Sequence, residues 1–183
     1  MTEIVLAGPA DRTNALATLV PAFAADPVLR WLFPADDTYP EHATAFFGHL
    51  FDTRVRRHAV WLAEGGAAVA MWDPPGADPD PLELELPAEV RERVSAYDHA
   101  VHGIMPAGPH WYLGTLATHP ERTGRRLGHT VMAAGLRRAA EDGLPAVLET
   151  STEGNVRMYE RAGWTLIASI TDPLPVWVLA HGL

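Results

Sequence analysis

The chain has 183 residues, 48% of them apolar, and no cysteine. That is enough to bury one sizeable core, and it excludes thiol catalysis, cysteine-based zinc sites and a disulfide framework. The formal net charge is -9, and all 14 basic Lys+Arg residues are arginine. This balance disfavours nucleic acid or an anionic membrane as the main ligand, favours cationic ones, and leaves no lysine for a Schiff base or general base.

In chain order, Ile4 to Leu6 reads as a short first strand. Asp11 stands where an N-cap precedes a helix, with Leu16, Leu19, Val20 and Phe23 at helical spacing and Pro21 set to kink or divide it. The segment DPVLRWLFPADDTYP, Asp26 to Pro40, places aromatic residues between prolines and acids and is expected to be a loop or a short irregular helix. Pro40 suits the first turn of a second helix with Phe46, Phe47, Leu50 and Phe51 as its apolar face. Ala59 to Ala63 and Ala67 to Trp72 are strand-like runs joined by Glu64-Gly65-Gly66, a compact hairpin. The stretch DPDPLELELP, Asp78 to Pro87, reads as an exposed loop or a poor edge strand, and Ala88 to Met105 as a helix that Gly103 can break.

His110 to Ala117 is the next strand, leading through a Gly- and Arg-rich turn into a helix from Leu127. Val131, Met132, Leu136, Ala139 and Ala140 recur there at helical spacing, and Gly143 and Pro145 stop it. Ala146 to Thr150 is a strand, Asn155 caps a short helix through Ala162, and Trp164 to Ile170 with Val176 to Ala180 close the domain. The strands flanking the Leu127 helix make a right-handed crossover and a parallel pair, whereas the hairpin is antiparallel. The expected α/β fold is therefore a mixed sheet with helices on both faces, as one domain over residues 1–183. The opening MTEIVLAG lacks the basic flank and apolar run of a signal peptide, and no stretch approaches the about 20 apolar residues of a membrane span, so a cytoplasmic protein is expected.

The stretch from Thr115 to His129, TLATHPERTGRRLGH, suits an anion at the carboxyl end of a strand. A helix start offers unpaired N–H groups and partial positive charge, and glycines let a phosphate approach the backbone. Arg122, Arg125 and Arg126 add full charges.

Two blocks carry a family resemblance: WYLGTLATHPERTGRRLG, Trp111 to Gly128, and PAVLETSTEGNVRMYERAGW, Pro145 to Trp164. In them the chain resembles the GNAT superfamily of N-acetyltransferases, and within it the puromycin N-acetyltransferase group. The resemblance implies a mostly antiparallel sheet with a splayed parallel pair. It also implies acetyl-CoA as acetyl donor and direct transfer to an amine in a ternary complex. Leu116, Ala117 and Thr118 would meet the thioester and pantetheine, while Thr123, Gly124, Arg125, Arg126, Leu127, Gly128 and His129 would hold the pyrophosphate. Asn155 and Tyr159 match cofactor-facing positions, Tyr159 as proton donor to the leaving thiolate. A phenol and a thiol have unperturbed pKa values of about 10 and 8.5, so that transfer needs only good placement. The chain departs from the family's loop at two positions, with Thr123 where Gln or Arg is usual and Arg126 where glycine is usual.

The acceptor amine must be neutral to attack, so a group must take its proton. Glu149 is the catalytic candidate for that base, with a paired structural acid as the alternative, and His110 is the other candidate. Asp26, Trp31, Phe33, Trp72, Tyr97, His99 and Tyr112 are candidates to line the acceptor site, the aromatic rings as walls and Asp26 or Asp98 as counter-charge. His99 and His102 lack a third ligand in register, so no metal site is expected. The expected partner is a small-molecule amine, such as an antibiotic or a biosynthetic intermediate, taken by a monomer or homodimer. A protein N-terminus as acceptor, or a binding module that keeps the fold without acetyl transfer, are the competing readings.

Overall fold

The computed structural model describes residues 2–77, 84 and 86–182. Among these, the strands β1 (Ile4–Leu6), β2 (Val60–Ala63), β3 (Ala68–Asp73), β4 (Trp111–Thr118), β5 (Ala146–Thr150), β6 (Thr165–Ile170) and β7 (Val176–His181) form one sheet. Their order is β1-β2-β3-β4-β5-β7-β6. Every neighbouring pair is antiparallel except β4 and β5, which the crossover through a helix makes parallel. The helices are α1 (Arg12–Ala22), α2 (Pro27–Leu32), α3 (Tyr39–Arg56), α4 (Ala88–His102), α5 (Leu127–Glu141) and α6 (Glu153–Arg161).

Two cores sandwich the sheet. On one face Val60, Leu62, Val69, Met71 and Ala117 pack with Leu16, Leu32, Phe47, Phe51 and Val90, which belong to α1 through α4. On the other, Ala70, Trp72, Leu113, Leu148 and Leu179 pack with Leu127, Val131 and Met132 of α5 and Tyr159 of α6. Helix α5 lies close because position 135 is glycine: a β-carbon there would stand 2.2 Å from the Trp72 ring, which is fully buried. Such close approach is what gives a buried aromatic its dispersion contacts.

A bulge in β4 sets up the site. Trp72 pairs with Leu113 and Met71 with Thr115, so Gly114 is the extra residue. Before it, Trp111 and Leu113 face α5; after it, Leu116 does so and Ala117 faces α1 and α3. A β-carbon on Gly114 would stand 3.1 Å from both the Arg54 guanidinium and the Tyr112 ring. Here also β4 leaves β5. Their pairing runs from Trp111↔Ala146 to Leu113↔Leu148 and stops, while β5 continues with β7 to Thr150↔Trp177 and β4 with β3 to Thr118. A fork opens between the two strands, and along it the β5-side edge of β4 has no strand partner among the described residues.

Several local expectations change. Asp11 does not cap α1 through its side chain, which instead accepts from the Gly8 N–H at 2.8 Å. The Asp26–Pro40 segment contains the regular helix α2, capped by Asp26, whose Oδ1 accepts from Val28 and Leu29 at 2.9 and 3.0 Å. Pro21 does not divide α1, which runs through it and ends one residue later at Ala22. Thr152, in extended conformation, is the N-cap of α6, its Oγ1 accepting from the Asn155 N–H at 3.4 Å; Asn155 is already inside the helix. The reading of 78–87 falls mostly outside the described residues.

Candidate active site

Helix α5 begins with three donors facing open space. The amides of Leu127, Gly128 and His129 have no acceptor among the described residues, because the first backbone bond of the helix is from Thr130 N to Arg126 O at 3.1 Å. Arg126 holds the N-cap in the left-handed region, φ 58° and ψ 19°. That conformation suits glycine and is disfavoured for a residue with a β-carbon by about 1–2 kcal/mol. In front of these amides lies a cavity of about 340 Å³, lined by β4 residues Leu116, Ala117 and Thr118 and the loop residues Thr123, Gly124 and Arg126. Met132, Asn155, Met158 and Tyr159 complete the lining. One end is therefore a helix terminus suited to phosphate, and the other is the unpaired edge of β4, suited to an amide-bearing chain.

Tyr159 is buried, with its ring edge-on to Trp164 at 5.9 Å. Burial and then the charge of Glu149 push its pKa up, so the hydroxyl keeps its proton at neutral pH. Asn155 is oriented by a bond from its Nδ2 to Thr150 Oγ1 at 3.1 Å.

Across the fork stands Glu149. It lies on β5 one residue past the last parallel pairing, Leu113↔Leu148, and faces away from α5. Tyr112 of β4 donates a hydrogen bond to its Oε2, and Tyr97 of α4 donates to its Oε1 at 3.4 Å. Burial pushes the Glu149 pKa up to about 7, against the lowering effect of these donors. Both tyrosines are pushed upward themselves, first by burial and then by the Glu149 charge, and remain donors. A carboxylate whose pKa is raised to about 7, one residue past the end of the parallel pairing, can accept a proton from an incoming ammonium or amine.

Behind Tyr112 the face is held by a partly buried ion pair. Arg54, 8% exposed, donates to Asp73 Oδ2 at 2.5 Å, and Arg57 reaches Asp73 Oδ1 at 3.2 Å. Asp73 is the strand neighbour of Tyr112, so this network seats the ring that holds Glu149.

The residues expected from the sequence separate into groups. Leu116, Ala117, Thr118, Thr123, Gly124, Arg126, Leu127, Gly128, His129, Asn155 and Tyr159 share one cavity. Arg125 is not among them: it forms a bidentate pair with Glu64, both bonds 2.7 Å. Tyr97 and Tyr112 meet Glu149, and half-buried Trp31 packs with Tyr97 against Val101, Leu174 and Val176. Asp26 lies near enough to raise the Tyr97 pKa, but its carboxylate is engaged as the α2 cap. Phe33 and Trp72 do not line an acceptor site. Phe33 is 1% exposed and packed on Phe46 and His42, and Trp72 is fully buried under α5 on the opposite face. His110 is occupied locally, its Nδ1 2.9 Å from Gly108 O. Two cavity residues were missed, Met132 and Met158; the position of Met132 one helical turn after Gly128 was the available signal.

The model of the GNAT acetyltransferase family matches residues 26–164. The chain belongs to that family, and its mixed α/β sheet with one parallel pair is the GNAT fold. Among solved structures it is similar to a histone acetyltransferase HPA2 and related acetyltransferase from Corynebacterium glutamicum, with 27% identity over 98% of this chain and 95% of that one and a TM-score of 0.68. The fold also matches a polyamine N-acetyltransferase from Drosophila melanogaster that forms N-acetylagmatine (15% identity, all of both chains, TM-score 0.64). A third match is the PaiA N-acetyltransferase from Thermoplasma acidophilum, solved with coenzyme A (11% identity, 99% and 98% of the chains, TM-score 0.63). Acetyl-CoA is the acetyl donor of the family, and the residues present suit it: free first-turn amides for its pyrophosphate, an unpaired strand edge for its pantetheine amides, and a protonated phenol at the end of the same cavity.

Proposed function

We propose that the protein is an N-acetyltransferase that moves the acetyl group of acetyl-CoA directly to a small-molecule amine. The observation that carries this is the fork itself, with Tyr159 and the helix-start cavity on one side and Glu149, held by Tyr97 and Tyr112, on the other. Bound acetyl-CoA supplies an activated thioester carbonyl. The unpaired edge of β4 orients the donor along the fork, and the amides of Leu127, Gly128 and His129 meet its phosphates. Glu149 takes the proton that the acceptor nitrogen loses as the new C–N bond forms, and Tyr159 delivers a proton to sulfur as the C–S bond breaks. The resulting phenolate, whose pKa is raised, recovers its proton from Glu149 or water, which closes the proton balance.

The acceptor side supports a compact cation. Acidic Glu149, Asp98 and Asp26 stand around Tyr97, and the chain as a whole is acidic. The D. melanogaster relative acts on such an amine, agmatine. No described helix is long and apolar enough to cross a membrane.

Two measurements test the reading. Titration calorimetry should show acetyl-CoA binding; none at millimolar ligand would leave only a non-catalytic module. Thiol release should then rank an amine panel of agmatine, linear polyamines, arylalkylamines, puromycin and peptide N-termini. Fastest turnover on a peptide would replace the small-molecule assignment by N-terminal acetylation, and fastest turnover on puromycin would place the chain among antibiotic-modifying enzymes.

A further inference from the structure

The ion pair between Arg125 and Glu64 joins two segments 61 residues apart, and nothing in the donor's chemistry requires it. Glu64 belongs to the turn between β2 and β3, where it has φ 47°, a left-handed conformation. That turn is tied down elsewhere. Gly66 O accepts from the buried Thr18 Oγ1 at 2.6 Å, and Ala67 O accepts from the His119 N–H at 2.9 Å. The loop between His119 and α5 is thus fixed to the turn at its first residue by backbone. Its last residues are held by the Arg125 fork on the Glu64 carboxylate, two parallel bonds of 2.7 Å. The next residue is Arg126, whose left-handed backbone starts α5 and aims its amides.

From this geometry we propose that Glu64 is a positioning residue for the donor. Through Arg125 it clamps the loop so that the disfavoured conformation of Arg126 is held in the absence of ligand, and the α5 amides are pre-aimed. The proposal rests on the acetyl-CoA reading above. It assigns Arg125 to the clamp rather than to a phosphate, since leaving Glu64 would break two charged hydrogen bonds. Pre-aimed donors lower the ordering cost of binding, so the clamp acts on donor affinity and leaves chemistry at saturation alone.

The test is calorimetry with acetyl-CoA at about 0.15 M salt, where charges beyond roughly 8 Å are screened. The partners cancel in charge, so E64Q/R125Q removes the clamp while conserving net charge. That double variant should bind acetyl-CoA about two- to fivefold more weakly, the range for a well-formed exposed pair, with KM for the donor raised equally and kcat unchanged. E141Q, at the other end of α5, should leave binding unaltered. Wild-type binding with E64Q/R125Q equal or tighter overturns the clamp alone; absence of binding by the wild type overturns the donor reading and the clamp with it. A fall in kcat at saturating donor would also overturn it, because the loop would then be acting on the chemical step.

Discussion

The two sides of the β4–β5 fork are made of different materials. The donor side consists largely of backbone: three unpaired amides of α5, the open edge of β4 and a loop with two glycine-like turns. The acceptor side consists of side chains, Glu149 with its two tyrosines, drawn from β4, β5 and α4. A backbone site survives most substitutions, since each residue brings the same N–H; a side-chain site fails with one atom. Catalytic loss should therefore concentrate at the fork's side chains, and loop changes should appear mainly as affinity or stability.

The sharpest way to break that contrast is E149Q. It keeps the shape and removes the base, and kcat should fall on the order of 10²–10⁴-fold; a loss under tenfold would hand the proton to solvent and end the acceptor-side argument. The same variant has a stability signature. The Glu149 pKa is raised from the ordinary carboxylate range to about 7, so the folded state binds its proton more tightly than the unfolded chain does. The wild type should therefore lose stability relative to E149Q as pH rises from that range to about 7, and no further above it, as read from denaturant midpoints at a series of pH values.

Next comes Y159F, which retains the ring against Trp164 and deletes the donor. Turnover should drop about 100-fold, with acetyl-CoA affinity changed by less than threefold; equal losses in both would make Tyr159 a binding residue. Y112F should have a smaller effect of a different kind. The Tyr112 bond lowers the Glu149 pKa, so without it the rising limb of the kcat/KM profile should move to higher pH. The smallest change is expected from R126G. Glycine accepts the left-handed backbone of Arg126, so stability should rise by about 0.5–1 kcal/mol, a melting shift of roughly 1–4 °C at this chain length. A drop would show that the Arg126 side chain, and not its φ, matters to the folded state.

The same division explains what could be seen in the sequence. The donor side was legible because its signals are local: apolar strand, glycine turn and amphipathic helix are consecutive, and the crossover rule then fixes the parallel pair. The acceptor side was legible only as a pool of candidates. Nothing near Glu149 in the chain indicates that Tyr112 and Tyr97, 37 and 52 residues away, hold it. Trp72 and Phe33 share their residue types with a pocket wall, and only packing puts them in the core. Asp26 could be read as counter-charge or as helix cap, and its neighbour Pro27 at the first helical position was the clue to the cap. The Arg125 side chain stood in a phosphate-loop context and went to a glutamate from another hairpin.

The Gly114 bulge acts as a half-period phase shift in a strand whose side chains alternate between faces. Up to Leu113 the α5 side receives odd-numbered residues, and from Leu116 it receives even-numbered ones. One strand thereby serves two compartments with independent reading frames. Tyr112 is presented to the acceptor, and Leu116 and Thr118 to the donor, so substitutions on one half need not respect the pattern of the other. Deleting that single glycine would bring both halves into one frame and turn either the acceptor wall or the donor wall inside out.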